Sequence, residues 1–258
     1  MMTQNITIDP QQTAEILLSR RQKNAQFDCL PESVRPYNID SALAVQKALI
    51  EQHSHAVAGW KCLLPPADDQ IVMSPIFANT LNTGQTCELM ADNDKARVEP
   101  EIAFVLANDL PAKVGGYSDE DIADAIESCH MALELMQNRY AKNTTPVFYE
   151  KLADGLTNQG LYLGPKLDKN AIFSSTDVQI KVKQNGETRE FHGKHPNQKA
   201  IAPLTWFINY ATEQGFELKK GQAIITGSFA GIVEFEFGDA EIEYEQLGQY
   251  KVKFIDKK

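Results

Sequence analysis

The chain has 258 residues, 43% hydrophobic and 23% charged, the balance of a soluble globular protein long enough to bury a sizeable core. Its 25 basic and 35 acidic residues give a formal net charge of -10, which disfavours nucleic acid and anionic membranes as partners and means that a site for acids needs local positive charge. The four cysteines (Cys29, Cys62, Cys87 and Cys129) form no CxxC pair or zinc pattern, and neither a signal peptide nor a membrane-length apolar run is seen, so free thiols in the cytoplasm are expected.

Residues 1–65 read as a helical N-terminal portion. Asp9-Pro10 opens a helix whose apolar side carries Ile16, Leu17 and Leu18, with Pro at the first helical position. Asp40 is placed to cap a second helix, with Leu43, Val45, Ala48, Leu49 and Ile50 forming its apolar stripe. Residues 66–258 read as a β-rich catalytic domain, with strand character already present in AVAGWKCLL from residue 56. IVMSPIFA runs into a loop holding Asn79. ARVEPEIAFVLAND has strand composition with a proline inside, which predicts an edge strand or a bulge. YSDEDIADAIES predicts a helix capped by Ser118, with Ile122, Ile126 and Cys129 on one side, and MALELM a buried strand. GLYLG, DVQIKVKQ, AIITG, IVEFEF, AEIEYE and YKVKFID are further strands, separated by turns such as Asn185-Gly186 and interrupted by one helix, APLTWFINYATEQ. Many short strands with few helices indicate an α+β fold around a sandwich- or barrel-like core.

Three acids stand out. On a strand, Glu99 and Glu101 of VEPEIAFV point to one side, continued by Ala103 and Val105, while Ile102, Phe104 and Leu106 take the other. Two carboxylates entering an apolar strand repel each other and lose hydration, a conflict that Mg2+ or Mn2+ resolves. Glu134 repeats the anomaly inside MALELM. The alternative is a solvated edge on which Glu99 and Glu101 pair with Arg97 or Lys95.

Lys61, inside the apolar GWKCLL, either snorkels to solvent or neutralises such a cluster, binds an acid and moves protons. Thr226-Gly227-Ser228 ends a strand in a turn whose N–H groups can hold a carboxylate, and Asp154-Gly155 marks another turn. His130 reads as structural. His192 and His195 lie in FHGKHPNQ, a segment suited to a mobile cover over a pocket.

Taken together, GWK, SPIFAN, RVEPEIAFVLANDLP, ALEL, LADG, PLTWFIN and ITGS resemble the fumarylacetoacetate hydrolase superfamily, in the branch of 2-oxopent-4-enoate hydratases and 4-oxalocrotonate decarboxylases. The resemblance implies a mixed β-sandwich roll with a helical N-terminal portion, Mg2+ or Mn2+ held by Glu99, Glu101 and Glu134, and a small 2-oxo acid as substrate. It also implies a homo-oligomer. Lys61 and Asp154 match the family's catalytic positions, and Asn79, Thr226, Gly227 and Ser228 its substrate-facing ones. Asn79 stands where hydratase relatives commonly carry an aspartate, and Ala202 where a His or Asp often precedes proline. The reaction implied is hydration of a 2-hydroxy-2,4-dienoate. Decarboxylation of a 2-oxo-3-enedioate, acylpyruvate-type C–C hydrolysis and a non-catalytic relative are the alternatives.

Overall fold

The structure, a computed structural model, describes residues 8–174 and 177–258; residues 1–7, on which the reading of a missing signal peptide rests, lie outside them. The Asp9 side chain accepts from the Gln11 and Gln12 N–H groups and opens α1 (Pro10–Arg21), as its sequence predicts. The second helix, α2 (Ile39–Gln52), is capped by Asn38 rather than Asp40. The Asn38 side-chain Oδ1 accepts from Ser41 N–H at 2.8 Å, and Ser41 Oγ accepts from Asn38 N–H at 3.1 Å. This reciprocal box satisfies two end donors, and Asp40 lies inside the first turn, where its charge suits the helix dipole.

The larger sheet contains β1 (Val57–Ala67), β2 (Gln70–Phe77), β3 (Leu81–Thr83), β5 (Ala96–Leu106), β6 (Ile126–Met136), β7 (Asn158–Leu167), β10 (Ala223–Ile225) and β11 (Val233–Phe235). Its order is β2-β1-β10-β5-β6-β7-β3, with β11 pairing a second stretch of β5. The smaller sheet runs β4 (Thr86–Leu89), β13 (Gly248–Asp256), β12 (Gly238–Tyr244), β8 (Asp177–Gln184), β9 (Glu187–Lys194). The pairs β1–β10, β3–β7 and β4–β13 are parallel and the others antiparallel. Helices α3 (Asp119–Asp124), α4 (Phe148–Ala153), α5 (Lys169–Ser174) and α6 (Ala202–Glu213) complete an α+β fold of curled, mixed sheets. Among the described residues no helix is long and apolar enough to cross a membrane.

Residue 65 itself lies inside β1, which runs between β2 and β10. Three elements depart from the sequence reading. The helix after Ser118 stops at Asp124, because Ile126 already pairs in β6. Residues 191–194 of the expected cover belong to β9, paired with β8 beyond the Asn185-Gly186 turn, whose φ values are 53° and 81°. Finally, β5 is an interior strand, not an edge. On one side it pairs with β6 straight through Pro100, opposite Leu133. On the other, β10 covers residues 103–105 and β11 covers 96–98, leaving a gap at Pro100. The Pro100 carbonyl faces that gap and accepts from Phe229 N–H at 3.2 Å and Ser228 Oγ at 3.0 Å. In an antiparallel strand the N and C=O of one residue point the same way, so the missing donor of Pro100 falls where no strand needs it.

The two faces of β5 meet different surroundings. Ile102, Phe104 and Leu106 join the main core. Ala103 joins a smaller cluster with Ile76, Ala132, Leu161, Ala223 and Ile225. Glu99 and Glu101 continue that second face towards the gap.

Candidate metal centre

The β5–β6 register sets Glu99 directly opposite Glu134, and strand alternation puts Glu101 on the same face two residues on. One carboxylate oxygen from each lies within 4.8 Å of the others. Glu101 is 2% exposed and Glu134 1%. The alternative of a solvated edge does not hold. Arg97 pairs with Asp92 at 2.7 Å and Glu234 at 3.2 Å, and Lys95 pairs with Glu236.

Four donors fix this cluster. Lys61, on β1, donates from Nζ to Glu134 Oε1 at 2.6 Å and to the Leu156 carbonyl at 3.3 Å. Asn158 Nδ2 donates to the same Oε1 at 2.9 Å. Gly227 N–H donates to Glu101 Oε2 at 2.6 Å, so in this structure the turn expected to grip a substrate carboxylate grips a protein one. Tyr244 Oη, from the smaller sheet, bridges the Glu101 and Ala132 carbonyls at 2.9 and 2.8 Å, behind the acids. Gly227 has φ +120°, and a Cβ there would lie 2.6 Å from Leu63 Cδ2 and 3.0 Å from Pro196 Cγ, so the turn requires glycine.

The electrostatics are those of a site short of positive charge. Burial first, then the Glu134 charge, pushes Glu99 up from 4.5 to about 7. Burial, followed by the charges of Glu134 and Glu99, raises Glu101 well above the carboxylate range. Three carboxylates against one ammonium leave two negative charges in excess, which a divalent cation neutralises. Among the described residues Glu134 Oε2 and Glu101 Oε1 accept no protein hydrogen bond and remain available. All-oxygen donors suit a hard cation, whose neighbouring ligands at bonds of about 2.1 Å sit roughly 3 Å apart, within reach of small side-chain rotations. The residues fit such an ion.

A cavity of about 210 Å3 opens over the three acids, with Lys61, Gly227 and Ser228 in its wall beside Leu63, Val72 and Pro196. Ser228 Oγ donates to the Pro100 carbonyl and accepts from Ala230 N–H at 3.2 Å, bracing the turn. Thr226 is buried, outside the cavity wall, and among the described residues its Oγ1 has no hydrogen-bond partner.

Asp154 does not stand where a catalytic group at this cavity would. Its carboxylate pairs with Arg139 at 2.8 Å and Arg21 at 3.4 Å, and it lines no part of the cavity. It anchors a loop in which Gly155, Leu156 and Thr157 are all left-handed (φ 83°, 53° and 69°), and that loop presents the Leu156 carbonyl to Lys61 and Asn158 to Glu134. Asn79 also lies elsewhere, at the wall of a separate hollow. His130 is held by Ser128 Oγ and the Gly164 carbonyl, as a structural histidine is. His192 is on β9. His195 is buried, its Nδ1 accepting from Asn197 N–H at 3.1 Å, and burial lowers it to about 4, so it is neutral. Sequence reasoning missed Asn158, whereas Pro196 in the cavity wall belongs to the FHGKHPNQ segment expected to cover a pocket. Asn158 carried a signal, as an amide two residues before the apolar run GLYLG.

Residues 50–255 match the family model described as fumarylacetoacetate (FAA) hydrolase C-terminal. The chain is 27% identical over 171 residues to a 2-oxo-hept-4-ene-1,7-dioate hydratase of Escherichia coli, a match covering 62% of this chain and 61% of the hydratase. In fold it is similar to a 4-oxalocrotonate decarboxylase from Pseudomonas putida G7, solved with magnesium and adipate (TM-score 0.77, 17% identity, covering 95% of this chain and 97% of that one). It is also similar to a 5-carboxymethyl-2-hydroxymuconate delta-isomerase from Mycobacterium smegmatis (TM-score 0.54, 16% identity, 79% and 82% covered).

Proposed function

Because the chain belongs to the fumarylacetoacetate (FAA) hydrolase family, we propose that it is a divalent-metal-dependent lyase adding water to a 2-hydroxy-2,4-dienoate or its 2-oxo-4-enoate tautomer. The observation that carries this reading is the convergence of Glu99, Glu101 and Glu134 beside a cavity walled by Lys61. Similarity to a hydratase of a 2-oxo-4-enoic acid supports the choice of reaction. Cytoplasmic location and a homo-oligomeric state belong to the same proposal.

Glu99, Glu101 and Glu134 would hold Mg2+ or Mn2+. Such a cation, when bound, supplies Lewis acidity that stabilises negative charge on the oxygens of a 2-oxo acid. The rest is the work of the chain's own groups. Lys61 and Asn158 both hold Glu134 Oε1, which turns Oε2 to the cavity. An ammonium has three N–H donors, and two are committed to Glu134 and Leu156, so the third is left for a substrate oxygen. Lys61 thereby orients the acid and carries the proton exchanged during tautomerisation. Leu63, Val72 and Ile225 form an apolar wall for the carbon chain. The cavity suits a small acid.

The test is a spectrophotometric assay of 2-hydroxypenta-2,4-dienoate and 2-oxohex-3-enedioate, with and without Mg2+. Metal-dependent hydration of the first is the expected result. Release of CO2 from the second without hydration of the first would replace the hydratase reading with decarboxylation, and inertness towards both would overturn the proposal.

A further inference from the structure

A second hollow, of about 470 Å3, opens at the Asp154 end of the 154–158 loop and shares no lining residue with the carboxylate cavity. Two guanidiniums meet on one carboxylate there. Arg139 Nε donates to Asp154 Oδ2 at 2.8 Å, and Arg21 Nε lies 3.4 Å from Oδ1. The Nη2 groups of Arg139 and Arg21 also both reach the Asp154 main-chain oxygen, at 2.7 and 2.6 Å. Asp154 supplies a single negative charge, so one positive charge is left over.

The surplus is only partly open to water, the Arg21 side chain being 16% exposed. Arg139 is 2% exposed, and Arg21 Nε is buried without a formed hydrogen bond. Neither Nη1 has a protein partner among the described residues, although both side chains line the hollow. Burial first, then the Arg139 charge, lowers Arg21 to about 10, as expected where two cations share too little counter-charge. Two largely buried cations that share one counter-charge are costly, and a structural clamp on Asp154 needs only one of the two. The surroundings add to the bias. Lys257 and Lys258 line the same hollow, Glu88 is the one acidic side chain in its wall among the described residues, and the His53 ring, stacked on Phe77 at 3.8 Å and 5°, forms a flat side. In a chain of net charge -10 this is a concentrated exception.

We infer that the hollow is a binding site for a small oxyanion, a carboxylate or phosphate group held by the free edges of the Arg21 and Arg139 guanidiniums. Planar guanidinium forks match the paired oxygens of such groups. The inference is independent of the reaction proposed above, since it concerns different residues and needs no metal.

Calorimetric titration of EDTA-treated protein at low ionic strength with inorganic phosphate and with succinate tests it, using the parent chain, Arg21→Gln and Glu101→Gln. Saturable binding of at least one anion is expected in the parent and in Glu101→Gln, and binding at least about tenfold weaker in Arg21→Gln, the loss of one charge-assisted pair. The preferred anion identifies the source. No saturable heat in the parent, binding unchanged in Arg21→Gln, or binding lost in Glu101→Gln would each overturn the inference. Should Arg21→Gln fail to fold, selenate soaked into crystals of the parent decides the matter. Anomalous density between Arg21 and Arg139 supports the site, and its absence there refutes it.

Discussion

Metal binding to the β5–β6 carboxylates should release protons, and the number released follows from their environment. Raising Glu99 from 4.5 to about 7 corresponds to roughly 3 kcal/mol against its ionised form. Glu101 is shifted in the same direction, again by burial first. At about pH 6 Glu99 therefore holds its proton in most molecules, and a cation must displace it because metal ligands bind deprotonated. Apparent affinity for Mg2+ should climb by at least about 10-fold per pH unit below about pH 7 and less steeply above it, once Glu99 has ionised. Calorimetry in two buffers of different ionisation enthalpy counts the protons directly, and Glu99→Gln should lower the count by one. The same shift fixes the sign of the stability change. Without metal, a carboxyl whose folded pKa is raised favours the folded state below 4.5, and that contribution disappears as pH rises to about 7. The metal-free unfolding temperature should thus fall across this window, and saturating Mg2+ should reverse the trend. Affinity that is constant from about pH 5.5 to 8, with no proton release, would refute the reasoning.

Other consequences are more local. Glu101→Gln and Glu134→Gln should each abolish turnover of the dienoate while circular dichroism stays native, and full activity in either would remove the cluster from the mechanism. Lys61→Ala should lower kcat by at least about 100-fold, as expected for a general acid–base group, with an unchanged rate ruling out a proton-transfer role. Asn158→Ala removes a hydrogen bond to a buried carboxylate, worth about 1.5–3 kcal/mol, and should weaken metal binding about 10- to 100-fold in the same calorimetric assay. Gly227→Ala introduces a left-handed alanine against Leu63 and Pro196 and should cost roughly 1–3 kcal/mol in thermal unfolding.

Much of the site was legible because its anomalies are local. Charged residues inside apolar strands stand out wherever the strand lies, so Glu101, Glu134 and Lys61 announce themselves from composition and alternation. The Asp9 and Ser118 caps and the turn at Asn185-Gly186 were readable for the same reason, since their partners lie within four residues. Pro100 misled because its effect depends on neighbours far along the chain. A proline is excluded from a central strand only if a strand opposes its nitrogen, and here β10 and β11 leave a gap at that residue. The ion pairs of Asp154 were unreadable for the same reason, as its two arginines come from positions 21 and 139.

By itself the sequence determined which side chains share a strand face, because a period of two is a property of the backbone, and therefore that Glu99 and Glu101 lie side by side. Only the tertiary structure decided that Glu134 lies opposite Glu99, that Lys61 and Asn158 meet on one of its oxygens, and that Arg21 and Arg139 converge on Asp154. Those pairings are set by strand register and by the docking of distant segments. Both minimise a free energy summed over the whole core, which no short stretch of residues encodes.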